Sequence, residues 1–225
     1  NSTYEQNFEI LVKDNLLDED LILQKAPVPH SEASYGYAIA ESAGYVLVGA
    51  RYENNADLND SGAAYLYHVQ TDNQLQFVSR IVPGNPEQYA QFGCSVAIDG
   101  DYLLIGARNA DYQAGDDAGG VYFYKLNEEA QPVFVSQLSP DNPTGSDQFG
   151  WSVDIDDGKI LVGAHYLDAN GNNSGQCFLY NIEENGSIVE TDRFIGSDSA
   201  NWDKFGGDVS ISQNLIAVGS LESDA

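Results

Sequence analysis

An aromatic-glycine pair returns along this chain at a fixed interval, and nothing else in the sequence limits its fold so tightly. Tyr35-Gly36, Phe92-Gly93, Phe149-Gly150 and Phe205-Gly206 are spaced by 57, 57 and 56 residues. A period of this length marks a repeat architecture, in which each unit buries its apolar surface against its neighbours. A short alternating segment follows each pair: Tyr37 to Ala40, Cys94 to Ile98, Trp151 to Ile155 and Gly207 to Ile211. Then comes a tight polar turn, such as Asp99-Gly100-Asp101 or Asp156-Asp157-Gly158, of the kind a hairpin uses. The next segment is nearly all apolar (Tyr45 to Val48, Tyr102 to Ile105, Ile160 to Val162, Leu215 to Val218), which predicts a strand buried on both faces. It ends in Gly-Ala or Gly-Ser, at Gly49, Gly106, Gly163 and Gly219, where glycine permits a bulge or a close backbone approach.

A polar loop leads to a third strand with aromatic alternation, as in Ala64-Tyr65-Leu66-Tyr67, Val121-Tyr122-Phe123-Tyr124 and Cys177-Phe178-Leu179-Tyr180. After a turn a fourth follows, over Leu75 to Ser79, Val133 to Gln137 and Ile188 to Phe194. Four short antiparallel strands per repeat describe the blade of an all-β propeller. The expected architecture is a single domain over residues 1–225, with blades at about 35–91, 92–148 and 149–204. The fourth blade combines 205–225 with 1–34, because Phe8 to Val12 and Leu21 to Leu23 read as strands three and four. Joined end to start, these segments make 55 residues, close to one repeat, so the N-terminal strands are expected to complete the last blade and close a four-bladed ring. Two other arrangements share this phase: a window on a larger or dimeric ring, and donation of the N-terminal strands to the next molecule in a fibre.

Composition narrows the partners. The net charge of −26 repels nucleic acid and anionic membrane surfaces, and suits cations, basic proteins or neutral glycans. No apolar run approaches the ~20 residues that span a bilayer, so direct membrane insertion is not expected. The polar opening Asn1-Ser2-Thr3 and the lack of methionine point to a processed or excised chain. Sequons at Asn1, Asn59, Asn172 and Asn185 add to the acidity in favouring an extracellular, glycosylated setting. With only Cys94 and Cys177 the chain is no disulfide scaffold; two buried free thiols are expected, with a single bridge as the alternative.

The runs Phe92-Gly93-Cys94-Ser95-Val96-Ala97-Ile98, Leu103-Leu104-Ile105-Gly106-Ala107 and Gly120-Val121-Tyr122-Phe123-Tyr124 resemble an FG-GAP repeat of the integrin-alpha-like propellers. So do Phe149-Gly150-Trp151-Ser152-Val153 and Leu161-Val162-Gly163-Ala164. The resemblance covers essentially the whole chain and implies a propeller fold and a protein-binding face on the loops. Two departures stand out. The family's Gly-Ala-Pro becomes Gly-Ala-Arg at Arg51 and Arg108, Gly-Ala-His at His165 and Gly-Ser-Leu at Leu221. In addition, many members carry a calcium loop between strands one and two, where this chain has only a tight turn.

The loops between strands two and three are acidic. Asp57 and Asp60 lie in the first, Asp111, Asp116 and Asp117 in the second, and Asp168, Asn170 and Asn172 in the third. The last three alternate along the chain as calcium ligands do at the start of a calcium loop, without a terminal bidentate acid; calcium is the one cofactor this chemistry admits, against a solvated Asx-rich turn. In a propeller these loops share a face with the blade-to-blade connections, which carry Tyr89, Trp202 and His30. No catalytic residue is assigned. His30, His68 and His165 sit at unrelated repeat positions, and no nucleophile elbow or phosphate-binding loop occurs. The leading expectation is a non-enzymatic extracellular propeller that recognises a protein or glycan. A structural subunit that self-associates into a dimer or fibre is the alternative, and a hydrolase with carboxylates around the axis is the least favoured.

Overall fold

The computed structural model describes residues 8–9, 23–24, 33–111, 116–141 and 143–222. Among these residues every regular element is a strand and none is helical. The first antiparallel sheet contains β3 (Tyr35–Ser42), β4 (Tyr45–Ala50), β5 (Ala63–Val69) and β6 (Leu75–Ile81). The second contains β7 (Phe92–Asp99), β8 (Tyr102–Ala107), β9 (Gly120–Leu126) and β10 (Pro132–Leu138). The third contains β11 (Ser152–Asp156), β12 (Lys159–Ala164), β13 (Gln176–Ile182) and β14 (Ile188–Phe194). Two shorter sheets contain β15 (Phe205–Ser212) with β16 (Leu215–Ser220), and β1 (Phe8–Glu9) with β2 (Leu23–Gln24).

Within each four-stranded sheet spatial order follows chain order, so each repeat is a meander, as its strand signals predict. The hairpins between strands one and two are closed by two residues, since Ser42 pairs with Tyr45, Asp99 with Tyr102, Asp156 with Lys159 and Ser212 with Leu215. Asp157 and Gly158 both take positive φ, 48° and 72°, the geometry a primed turn needs to match strand twist. A two-residue turn cannot supply the six or more oxygens of a calcium site. The family's calcium position therefore does not fit these residues.

In the first three repeats the second strand is buried on both faces, which accounts for its unbroken apolarity. Leu103 and Ile105 of β8 pack with Leu47 and Leu66 of the first sheet, while Leu104 packs the other way with Val153, Ile160 and Phe178 of the third. Val209 and Ile211 of β15 pack in turn on Leu161 and Cys177. Cys94 and Cys177 are free and buried, and burial pushes the Cys177 thiol up to about 12.

Adjacent sheets also touch backbone to backbone. A Cβ on Gly106, at the end of β8, would overlap the carbonyl oxygen of Gly150 in the next repeat, and Gly49 against Gly93 and Gly163 against Gly206 repeat this. The hydroxyls of Ser95 and Ser152 donate across the same seams to Gly150 O and Gly206 O, at 2.7 and 2.9 Å. The aromatic-glycine pair and the Gly-Ala pair are thus two halves of one contact. At the far end, turns are joined as well: Gly100 N–H donates to Ser42 Oγ at 3.1 Å and Asp157 N–H to Asp99 Oδ2 at 3.0 Å.

The last repeat differs from the others. Among the described residues β16 pairs only with β15, whereas β4, β8 and β12 each pair on both sides. Leu215 of β16 is accordingly 72% exposed. Phe8–Glu9 and Leu23–Gln24 pair antiparallel, as expected for strands three and four. No described pairing joins them to β16, and the rest of the expected closing segment lies outside the described residues, as do Asn1 and His30.

The seam makes a direct prediction. Gly106→Ala should lower stability by about 3 kcal/mol, because backbone must move to admit the methyl. Gly84→Ala, where a Cβ meets nothing within 4 Å, should change it by less than about 0.5 kcal/mol. Denaturant midpoints of the two variants check this.

Candidate functional site

Two classes of loop meet at the end of the sheets where the glycine seams lie. Each loop between strands two and three is stitched to the next connection between sheets by three backbone hydrogen bonds. At the first junction the N–H groups of Tyr89, Gln91 and Phe92 donate to the carbonyls of Asn59, Asp60 and Ser61 at 2.8, 3.0 and 3.0 Å. At the second, those of Ser146, Gln148 and Phe149 donate to Asp116, Asp117 and Ala118 at 2.9, 3.4 and 2.9 Å. At the third, those of Trp202, Lys204 and Phe205 donate to Asn172, Asn173 and Ser174 at 2.8, 3.0 and 3.0 Å. The same two positions of every connection are left-handed, with φ of 64° and 57° at Tyr89 and Gln91, and 71° and 55° at Trp202 and Lys204. Non-glycine residues occupy that region only where surrounding contacts hold them there. These bonds do so.

Side chains complete each loop. Asn54 Oδ1 accepts from Asp60 N–H at 2.9 Å, Asp111 Oδ1 from Asp117 N–H at 2.9 Å, and Asp168 Oδ1 from Asn173 N–H at 2.6 Å. An amide oxygen fills this role in the first repeat and a carboxylate in the other two. The bond therefore needs an acceptor and not a charge. Asp147 is buried in its connection and accepts Thr144 N–H and Thr144 Oγ–H at 2.7 and 2.6 Å; Asp203, one repeat on, accepts Ala200 N–H at 2.6 Å. In the first loop Glu53 is buried against Arg80 at 2.6 Å and accepts from the Tyr65 hydroxyl, while Asn55 Nδ2 donates to Gly62 O at 2.6 Å.

The expected ligand-face residues therefore share one end of the molecule, distributed over three junctions. Asp57 and Asp60 accompany Tyr89; Asp111, Asp116 and Asp117 accompany Glu87 and Ser146; Asp168, Asn170 and Asn172 accompany Trp202. Tyr89 and Trp202 are 52% and 54% exposed. Asp111 N–H donates to Glu87 Oε2 at 2.8 Å, which draws four acids together. Burial raises the Asp117 carboxyl above the usual range, and the charges of Asp111 and Asp116 add to the shift. Burial raises Glu87 and Asp147 also, against the hydrogen bonds they accept. Glu87 and Asp147 escape a reading of the loops between strands two and three. The available signal for Asp147 is an acid two residues before the aromatic-glycine pair, repeated at Asp203.

Asp168, Asn170 and Asn172 lie in one loop and each takes part in its hydrogen bonds. Besides the Asp168 bond, Asn170 Nδ2 donates to Ser199 O at 3.2 Å and Asn172 N–H donates to Asn201 Oδ1 at 2.9 Å. Among the described residues no group of three or more His, Cys, Asp or Glu is arranged to hold a metal ion. The sequons differ in access. Asn59 and Asn172 are exposed but their Ser61 and Ser174 are fully buried, whereas Asn185-Gly186-Ser187 is exposed throughout the β13–β14 turn.

Three segments, residues 76–124, 133–180 and 188–225, match the family model described as FG-GAP repeat. The first two matched units run from the fourth strand of one sheet through the third strand of the next. Each therefore contains one glycine pair set and one inter-sheet connection. Comparison with curated proteins gives no significant match. FG-GAP repeats occur in extracellular adhesion and binding proteins, and are typically non-enzymatic binding modules.

Two outcomes follow from the loop geometry. Asp168→Asn should keep stability within about 0.5 kcal/mol, whereas Asp168→Ala should cost about 1 kcal/mol by orphaning the Asn173 N–H; thermal unfolding distinguishes them. A carboxyl whose folded pKa is raised binds its proton more readily in the folded chain, so stability should rise as pH falls from about 7 toward 5. Asp117→Asn should raise stability at neutral pH and flatten that slope in a pH series of unfolding midpoints.

Proposed function

Because the chain belongs to the FG-GAP repeat family, we propose that it is a non-enzymatic extracellular propeller that binds a protein or glycan through its loop end. The observation that carries this reading is the threefold stitching of loop to connection, which presents Tyr89, Trp202 and the acids around them on a pre-ordered surface. Pre-ordering lowers the entropy cost of binding, and exposed aromatics beside carboxylates are the groups that anchor basic protein surfaces or stack on sugars. In this reading the three four-stranded sheets are complete blades. β15 and β16 open a fourth, and β1 and β2 supply its last two strands; the edge of β16, unpaired among the described residues, and the antiparallel pairing of β1 with β2 support that closure. The net charge of −26 and the exposed Asn185 sequon favour an extracellular, glycosylated chain.

That edge of β16, unpaired among the described residues, also supports a second reading, in which β1 and β2 complete a neighbouring copy and the chain assembles end to end. Mass measured in dilute solution separates the two. A monomer at all concentrations supports closure within one chain, and a ladder of oligomers supports assembly. For the binding role, Tyr89→Ala with Trp202→Ala should reduce capture of the cognate ligand on a glycan or cell-surface protein array at least tenfold while leaving the unfolding midpoint within a few degrees. Unchanged capture would remove the loop end as the recognition surface.

A further inference from the structure

The residues that follow the Gly-Ala pairs form a feature the acidic loops do not explain. Arg51, Arg108 and His165 stand one repeat apart, at the ends of β4, β8 and β12 and beside the first strands of the sheets. The chain has 9 Lys and Arg against 35 Asp and Glu, yet the charges of two arginines at one repeat position, Arg108 and Arg51, both reach the buried Cys94 thiol, where they oppose the rise that burial causes. Arg51 and Arg108 have no ion pair among the described residues, whereas Arg80, Arg193 and Lys204 are all paired with acids. They are held instead by rings. The Arg51 guanidinium lies 3.6 Å from the Tyr37 ring centre, and that of Arg108 lies 4.3 Å from Trp151. The His165 ring packs on the other partner of the same stack, 3.9 Å from Trp151.

Stacking occupies the faces of these groups and leaves their edges. The Nε atoms of Arg51 and Arg108 and the Nδ1 of His165 are buried without a hydrogen-bond partner, and His165 is only 1% exposed. A buried donor left unmade costs about 1–3 kcal/mol, more on a charged group. Burial holds His165 down at about 4, and the nearby charges of Lys204 and Arg108 act in the same direction. The imidazole is thus neutral at physiological pH, and the positive charge there belongs to the guanidinium groups. Both arginines are partly exposed, so their outer edges can be reached from solvent. A planar guanidinium with a covered face and a free edge matches an oxygen anion lying in its plane.

We propose that Arg51, Arg108 and His165 form an oxyanion-binding site, which takes a carboxylate or phosphate group of a ligand at the seam between the repeats. The site is independent of the loop-face reading, since it uses none of the residues assigned there. Nitrogen-15 spectra of the arginine Nε–H and His165 ring resonances test it, during titration with inorganic phosphate and, separately, acetate. Sodium chloride at matched ionic strength serves as the reference. Saturable shifts at Arg51, Arg108 and His165 are expected from phosphate, from acetate or from both, and the responding anion identifies the ligand group. Arg108→Gln and, separately, Arg51→Gln should each weaken the response about tenfold. Two variants guard against one failing to fold. Shifts no larger than those from sodium chloride, or saturable shifts that persist unchanged in both variants, would overturn the site.

Discussion

Adjacent repeats in this protein are joined where one backbone lies directly against another with no side chain between them. Gly49 meets Gly93, Gly106 meets Gly150 and Gly163 meets Gly206, and at each seam a Cβ on the earlier glycine would overlap the later carbonyl. This spacing lets the faces of neighbouring sheets close on one another. Leu103, Leu104 and Ile105 can then be buried on alternate sides of a single strand. A larger residue at the seam would wedge the sheets apart.

The same seam organises the loops. Because Phe92, Phe149 and Phe205 each sit beside a glycine of the preceding repeat, in the parallel bridges to Gly62, Gly119 and Gly175, the residues just before them run alongside the preceding loop. The three stitching bonds are the continuation of that bridge into the connections. The acidic loops are consequently ordered features of the repeat. Asp111, which reads as a ligand-face acid, and Asp168, which reads as a cation ligand, both act as acceptors that close their own loops.

Much of this was legible from periodicity alone. The strand segments, the two-residue turns at Asp99 to Tyr102 and Asp156 to Lys159, the double-faced burial of the second strand and the close approach at Gly106 all follow from local pattern. The sharing of one end by Tyr89 and Asn59, or Trp202 and Asn172, follows from repeat phase. What escaped depends on tertiary contacts. The loop-closing role of Asp168 emerges only when its bond from Asn173 N–H is seen beside the equivalent bond to Asn54. Arg108 looks like a departure from a family motif until Trp151, 43 residues further on, is found beneath it. Composition predicts an acidic surface; only the fold shows Arg51 and Arg108 stacked on aromatic rings.

The central physical claim is that the loop end is pre-ordered by backbone bonds even where its side chains face solvent. Amide hydrogen exchange at Tyr89, Ser146 and Trp202 tests it most directly, because each is a connection residue whose N–H is held by the preceding loop between strands two and three. Protection comparable to that of strand amides in β8 and β12 is the result this structure predicts. Exchange at the rate of an unstructured loop would contradict it.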